Sequence, residues 1–490
     1  MKRRTAFLAL IIIFLIVFLV RFLISMQTDA FSYDAYFVIR QVENINVHGI
    51  PLFQDSLSYS GRVHLFPPVF FYLLSLFSFL GVSLAAKLIP NLFASSLVFA
   101  VYLISFHITK SRQISLMTSF FSGFIPIFFS TLNDVSVYSL TVPLTFFLVY
   151  YLMKAEKEKA YGMAIFLMVL LVLTHSSTFF LIIGLLIFLI LMKVESLEVS
   201  RFDKEFILFS SLLALWFNFI IYKKAFMLHG SFVLWQNIPL QILTNYFYDL
   251  NIIESIYYIG FLPIIFGLYG IYHVFFKQKR KPVFMLVSLF SSSLILLWLK
   301  VIEFDVGLTF MAVTTVLIAG YSIKLAYSYF KKTKINHAAE WFLAAIFILF
   351  ILTSVIPSLS IGFNSLKNSP SEADIAALNW LEYNTDNSSV ILARLEEGFM
   401  INQLANRKNV IDKDFLLVKD AQQIYEDVQS SFSLRLKTEA LRRLNKYEVD
   451  YIYFSGNFGS EEQIYYLGET CFPMVYNESI KIYEVLCSIE

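Results

Sequence analysis

Phe66-Pro67-Pro68-Val69-Phe70-Phe71-Tyr72-Leu73-Leu74-Ser75-Leu76-Phe77-Ser78-Phe79-Leu80 is the stretch on which the topology of this chain turns. It is apolar, fifteen residues long and led by two prolines. As a helix it would reach about 22 Å, short of the ~30 Å of hydrocarbon in a bilayer. It is either a short span or a helix lying in the interface. The surrounding chain decides between these readings. If the stretch does not cross, the basic segments Lys2-Arg3-Arg4, Lys110/Arg112, Lys154–Lys159, Lys193–Glu205, Lys277–Lys281 and Lys331–Lys334 all fall on one side. If it crosses, the N-terminus is separated from the other basic segments. The excess of Lys and Arg on cytoplasmic loops therefore places it flat on the outer surface.

Outward from that stretch, apolar runs dominate. Hydrophobic residues make up 58% of the 490 positions, 53 residues are phenylalanine, and only 15% are charged. Soluble domains carry about 45–50% apolar and about 25% charged residues, so this composition excludes an ordinary soluble protein. Lipid requires closed helices that satisfy their own backbone groups. Eleven spans are predicted, at 5–26, 84–108, 113–131, 135–153, 161–174, 176–192, 205–222, 254–276, 283–300, 307–327 and 339–360. The split within 161–192 falls at Thr174-His175-Ser176-Ser177. The first stretch lacks a small-x-small cleavage site and is read as an uncleaved span, with Arg21 snorkelling to the outer surface. The aromatic-rich segment 223–253 is expected along the outer interface.

The net charge of +2 hides two materials. Residues 1–362 carry 26 Lys+Arg against 16 Asp+Glu, a net +10, and residues 363–490 carry 12 against 20, a net −8. The first part is expected to be a transmembrane domain with an outer loop at 27–83, the second a soluble α/β domain. An odd number of spans puts the N-terminus in the cytoplasm and the soluble domain outside. Basic loops beside a membrane set orientation and imply membrane lipids as partners, not nucleic acid. In the tail, Ser371 is a candidate cap for a helix through Leu381. Strands are expected at Ser389–Leu395, Tyr451–Phe454 and Ile480–Val485, and helices at 396–406, 420–429 and 435–447, together a small, partly parallel sheet. Cys471 and Cys487 are either free thiols or, outside the cytoplasm, a disulfide. Asn387-Ser388-Ser389 and Asn477-Glu478-Ser479 are sequons that agree weakly with an outer location.

Carboxylates and aromatics interleave in the outer loop, from Asp34-Ala-Tyr36 through Arg40 and Glu43 to Arg62-Val-His64. Asp34 is a candidate general base or metal ligand, although composition alone favours a helix cap before Ala35–Asn44. Asp134, in the turn Asn133-Asp134-Val-Ser136, has the same two readings. With Glu303 and Asp305 of a third outer turn, these carboxylates could supply oxygen ligands to Mg²⁺ or Mn²⁺ if they converge. His175 lies at a break between spans, a candidate site residue or a neutral histidine bonded to backbone. Arg40, Arg62, His64, Lys223, Lys224 and His229 are candidates for an anionic ligand, or ordinary interfacial anchors.

The pattern Asp34-Ala-Tyr36-Phe, Arg40, Glu43-Asn44, Gly49, Pro51-Leu, Tyr59-Ser-Gly61-Arg62 and Phe66-Pro67-Pro68 resembles the first outer loop of GT-C membrane glycosyltransferases. It is most similar to that of the catalytic subunits of archaeal and bacterial oligosaccharyltransferases. Asn133-Asp134-Val-Ser136 resembles their second acidic motif, and Leu173-Thr174-His175, Ala319-Gly320-Tyr321 and Ser369–Leu381 add weaker likenesses. The resemblance implies an α-helical multi-pass membrane protein of GT-C type with an extracytoplasmic C-terminal domain. It also implies an enzyme that moves a sugar from a polyprenyl-phosphate or pyrophosphate carrier to an acceptor on the outer face, with inversion. Asp34 would then be the catalytic carboxylate, Asp134 would assist it, and Tyr36, Arg40, Arg62, His64 and His175 would line the substrate site. Two departures stand out. Ser136 replaces the second carboxylate, which puts a metal in doubt, and the tail has no Trp-Trp-Asp motif, which argues against a protein asparagine as acceptor. The rival readings are a transporter or lipid flippase, whose binding residues sit at mid-membrane in repeated halves, and a non-catalytic homologue. Here the charges gather at one face and no repeat is visible.

Overall fold

The computed structural model describes residues 2–154, 158–249, 251–334, 337–455, 464–468 and 470–488. Within the basic segment Lys154–Lys159, residues 155–157 lie outside the described ones. Helix stands on each of the eleven predicted stretches. Six helices are long and apolar enough to cross a membrane by length and composition: Arg3–Ser25, Val82–Thr109, Arg201–Trp235, Lys281–Trp298, Phe304–Lys332 and Ala338–Asn384. The first buries little inside the protein and the fifth is almost wholly enclosed, so Phe304–Lys332 is the axis around which the others pack. The break at 174–178 is present, between helices Glu158–Thr174 and Thr178–Val194.

The expected span at 254–276 is not one helix. Ile252–Ile259 and Phe261–Phe276 meet at 101°. Gly260 between them holds φ at +103°, a conformation natural to glycine alone, and a Cβ there would lie 2.6 Å from Ser354 Oγ. Arg21 is a second correction. It does not snorkel but is buried, donating from Nε to Asn91 Oδ1 at 3.2 Å and from Nη1 to the Phe128 carbonyl at 2.5 Å. Its guanidinium lies over the Phe128 and Phe129 rings. A buried cation persists only with such partners.

The stretch that opened the analysis forms the seven-residue helix Val69–Ser75, about 10 Å long, and a single 3-10 turn at Ser78–Leu80. It buries Phe70, Phe71 and Leu74 in a cluster with Tyr36, Ile39 and Val42 of helix Ala35–His48. It is too short to be a span.

The tail folds into a five-stranded sheet in the order Lys408–Asn409, Val390–Leu392, Tyr451–Phe454, Lys481–Glu484, Met474–Asn477. The first three strands are parallel and the last two run antiparallel to their neighbours. Cys471 and Cys487 are disulfide-bonded. Within the segment 223–253, residues 237–247 dock on this domain. Ile238, Ile242 and Phe247 join a core with Val410, Ile411 and Phe415, and the Asn237 amide donates to the carbonyls of Phe415 and Val418 at 2.9 and 2.8 Å.

One carboxyl of the soluble domain should dominate its pH response. Glu397 is fully buried beside Ser455 and accepts from the Arg394 N–H at 3.0 Å. Burial pushes it up to about 7. The folded state therefore keeps a proton that the unfolded chain releases near its ordinary carboxylate value. The resulting stability is present in acid and is lost as pH rises toward 7. Glu397→Gln has no proton to lose. Between pH 5 and pH 8 the variant should gain roughly 2–3 kcal/mol on the wild type, read as a rising difference in melting midpoint across a pH series.

Candidate active site

Asp34 stands at the start of helix Ala35–His48, yet its side chain makes no capping bond. The cap reading, which composition favoured, is thus corrected. The carboxylate instead meets Lys413 of the soluble domain, with Nζ 2.8 Å from one oxygen and 3.0 Å from the other. Asp34 remains 56% exposed and Lys413 23%, so a substrate can still reach the carboxylate.

Asp134 is brought toward Asp34 by backbone. Ser32 N–H donates to the Asn133 carbonyl at 3.2 Å. The Asn133 amide donates to the Ala30 carbonyl and to Ser369 Oγ, each at 2.9 Å. These bonds clamp the turn 133–134 onto the segment ahead of Asp34. Val135, a β-branched residue, takes φ of +49°, a conformation that costs about 1–3 kcal/mol and recurs at functional turns. Asp134 does not cap a helix, since the next one begins at Tyr138. The residue keeps some exposed surface, but its carboxyl is crowded by protein. Burial, reinforced by the nearby Asp34 charge and opposed by Lys413, pushes it up to about 7.

Glu303 accepts from Gln236 Nε2 at 2.9 Å, and burial raises it above the usual carboxylate range, with Asp34 and Lys413 both within electrostatic reach. Asp34, Asp134, Glu303 and Lys413 therefore form one electrostatic cluster. Asp305, one helical step further on, is exposed. No group of three or more His, Cys, Asp and Glu side chains among the described residues could hold a metal ion, and both oxygens of Asp34 already bind an ammonium.

Of the predicted anion-binding side chains, Arg40, Arg62 and His64 are engaged by carboxylates of the protein itself. Arg40 forms a fork on Asp55, at 2.9 and 3.0 Å, and donates to the Asn402 carbonyl at 2.8 Å. Arg62 bridges Asp412 at 2.9 Å and Asp414 at 3.2 Å, donates to the Asp414 carbonyl, and lies over the Tyr59 ring. His64 Nδ1 is 2.7 Å from Asp414. Despite burial, Arg62 and His64 hold Asp414 well below the ordinary carboxylate range. These three residues fasten the segment 27–83 to the C-terminal domain. Tyr36 is buried in the core between Phe31 and the loop helices. His175 Nδ1 accepts from the Ser177 N–H at 3.0 Å and its ring meets Tyr138 edge-on, the arrangement of a neutral histidine bonded to backbone. Lys223 and Lys224 are exposed and His229 is half-buried on the end of helix Arg201–His229.

Lys413 was not among the predicted site residues. The only hint is local: Ile411-Asp412-Lys413-Asp414-Phe415 is a charged triplet between apolar residues, a pattern that solvation explains equally well. A cavity of about 570 Å³ opens nearby in the chain, between Phe232–Leu240 and Lys419–Asp427, but none of the candidate carboxylates lines it.

This arrangement of apolar helices with a C-terminal sheet domain is similar in fold to solved GT-C glycosyltransferases. Three solved structures share it. The oligosaccharyltransferase of Archaeoglobus fulgidus, solved tethered to an acceptor peptide with the NVT sequon, matches with a TM-score of 0.70 at 15% identity, over 93% of this chain and 69% of that one. ArnT from Cupriavidus metallidurans, bound to undecaprenyl phosphate, matches with 0.53 at 9% identity over 98% of both chains. The mycobacterial arabinofuranosyltransferase AftD matches with 0.61 at 13% identity, over 100% of this chain and 42% of that one. No family model and no curated protein sequence matches the chain.

Proposed function

We propose that this chain is an inverting glycosyltransferase of the GT-C type, taking a sugar from a polyprenyl-phosphate carrier and passing it to an acceptor at the outer membrane face. The observation that carries the reading is the position of Asp34. It is a half-exposed carboxylate on a rigid helix start, uncapped, and joined to the soluble domain by one ion pair. In the reaction Asp34 accepts the proton of the acceptor hydroxyl. That oxygen bonds the anomeric carbon as the carbon–oxygen bond to the carrier phosphate breaks, and the electron pair leaves with the phosphate oxygen. Attack opposite the leaving group inverts the centre. Asp134, protonated below about pH 7, orients the acceptor by donating a hydrogen bond, in place of the metal-holding role its motif suggested.

Several features support the placement across the membrane. The basic segments fall on one side if eleven helical stretches cross, which leaves the soluble domain and the loop 27–83 outside. The Cys471–Cys487 disulfide suits an oxidising compartment. Two of the similar structures were solved with a polyprenyl phosphate, undecaprenyl phosphate in ArnT and a dolichol phosphate in the archaeal enzyme, which supports a carrier of that class here.

The test is direct. Membranes containing the protein are incubated with a panel of radiolabelled polyprenyl-phosphate sugars. Label should move from the carrier into a product that control membranes do not make. Labelled carrier crossing proteoliposomes without any covalent change would instead make the protein a flippase.

A further inference from the structure

Asp412 and Asp414 flank Lys413, and both are pinned to Arg62 of the outer loop. Ser58 Oγ adds a bond to Asp412 at 2.6 Å, and the Asp414 N–H donates to Asp412 Oδ1 at 3.0 Å. With the residues on either side held, the Lys413 side chain is free to extend to Asp34, where its ammonium spans both carboxylate oxygens. Burial works against its charge, but the Asp34 carboxylate next to it more than compensates, so Lys413 stays charged. Arg62 is 7% exposed and pairs with the fully buried Asp412, whereas Lys413 is 23% exposed and pairs with the half-exposed Asp34. Among the described residues no group of three or more His, Cys, Asp and Glu side chains is placed to hold a metal ion.

We propose, building on the transferase reading above, that Lys413 is the permanent cation of this site and contacts the phosphate of the lipid-linked donor. The positive charge that a divalent ion would supply comes from the soluble domain. A lysine ammonium is a compact charge on a flexible four-carbon stem. It contacts both Asp34 oxygens before reaction and reaches the phosphate oxygen as negative charge develops there, when the bond to the anomeric carbon breaks. Such charge-assisted contacts act where charge appears in the transition state. The soluble domain is on this account part of the active site and not a cover for it.

The experiment measures binding of undecaprenyl phosphate to the full chain in lipid nanodiscs after dialysis against EDTA, with and without millimolar Mg²⁺ or Mn²⁺. Wild-type protein should bind equally in both conditions. Lys413→Ala should bind at least about tenfold more weakly, and Lys413→Arg should stay near wild type. Folding is not in question for either variant, since a part-exposed ion pair contributes only about 0–1 kcal/mol to stability. Wild-type binding that requires the divalent ion overturns this inference alone, as does an unimpaired Lys413→Ala. Wild-type protein that binds no polyprenyl phosphate under any condition overturns the transferase reading and this inference with it.

Discussion

Asp34→Asn is expected to lower sugar transfer by roughly 10²–10⁴-fold, the usual contribution of a positioned general base, while the protein folds as before. The asparagine amide is close in shape but cannot take a proton at neutral pH. Asp34 has no structural duty that would confuse the result. It makes no cap bond, and its one ionic partner is a lysine at a part-exposed contact worth about 0–1 kcal/mol. The loss should therefore appear in kcat, with the melting midpoint within a degree or two of wild type. Asp134→Asn should do less. If Asp134 donates a hydrogen bond in its protonated form, the asparagine amide keeps a donor at that place, and the activity of the variant should no longer fall as pH rises through about 7. Full transfer by Asp34→Asn would remove the base from the mechanism.

Arg62→Met carries the largest expected cost in stability. Arg62 is 7% exposed and Asp412 fully buried; together with Asp414, His64 and the Tyr59 hydroxyl, which donates to the Asp412 carbonyl at 2.6 Å, they join loop to domain. Truncating the arginine leaves the fully buried Asp412 carboxylate without its cation and Asp414 with His64 alone. Breaking a buried pair in this way costs about 3–5 kcal/mol, much of it the penalty of the stranded charges. Thermal unfolding should show a drop of several degrees, and the segment around 412–414 should become open to limited proteolysis. Adding Asp412→Asn and Asp414→Asn should recover much of that loss, because the stranded charges are then gone. A melting midpoint unchanged by Arg62→Met would mean the network does not hold the domain. Transfer should fall in the same variant even though Arg62 touches no reacting atom, since Lys413 loses the support on either side of it.

The two parts of the account differ in how far the amino-acid sequence reveals them. The helices were legible because a long apolar run in a charge-poor chain has few other uses. Phe66–Leu80 was ambiguous by its length and prolines, and the distribution of basic segments along the chain decided its reading. The outer loop announced itself by residues close together, from Asp34 to Pro68. What stayed hidden depends on pairs far apart in sequence. Lys413 and Asp34 are separated by 379 positions, Arg62 and Asp412 by 350. Nothing in the local pattern distinguishes a lysine that completes a site from one that solvates a loop. The same holds for Arg21, which read as an interfacial anchor because Asn91 and the Phe128 carbonyl, its partners, are supplied by other helices. The fork of Arg40 on Asp55 explains why counting cations near the headgroups overestimates those available to a phosphate. The bend at Gly260 was missed because hydropathy is blind to backbone conformation. The edge strand Lys408–Asn409 is two residues long, below what periodicity can register.

A map of the full chain with undecaprenyl phosphate bound in a lipid nanodisc tests the central claim most directly. The phosphate should lie beside Asp34, within hydrogen-bonding distance of the Lys413 ammonium and on the same side of the membrane as the soluble domain. A phosphate seated away from both residues, or at the opposite face, would contradict the account.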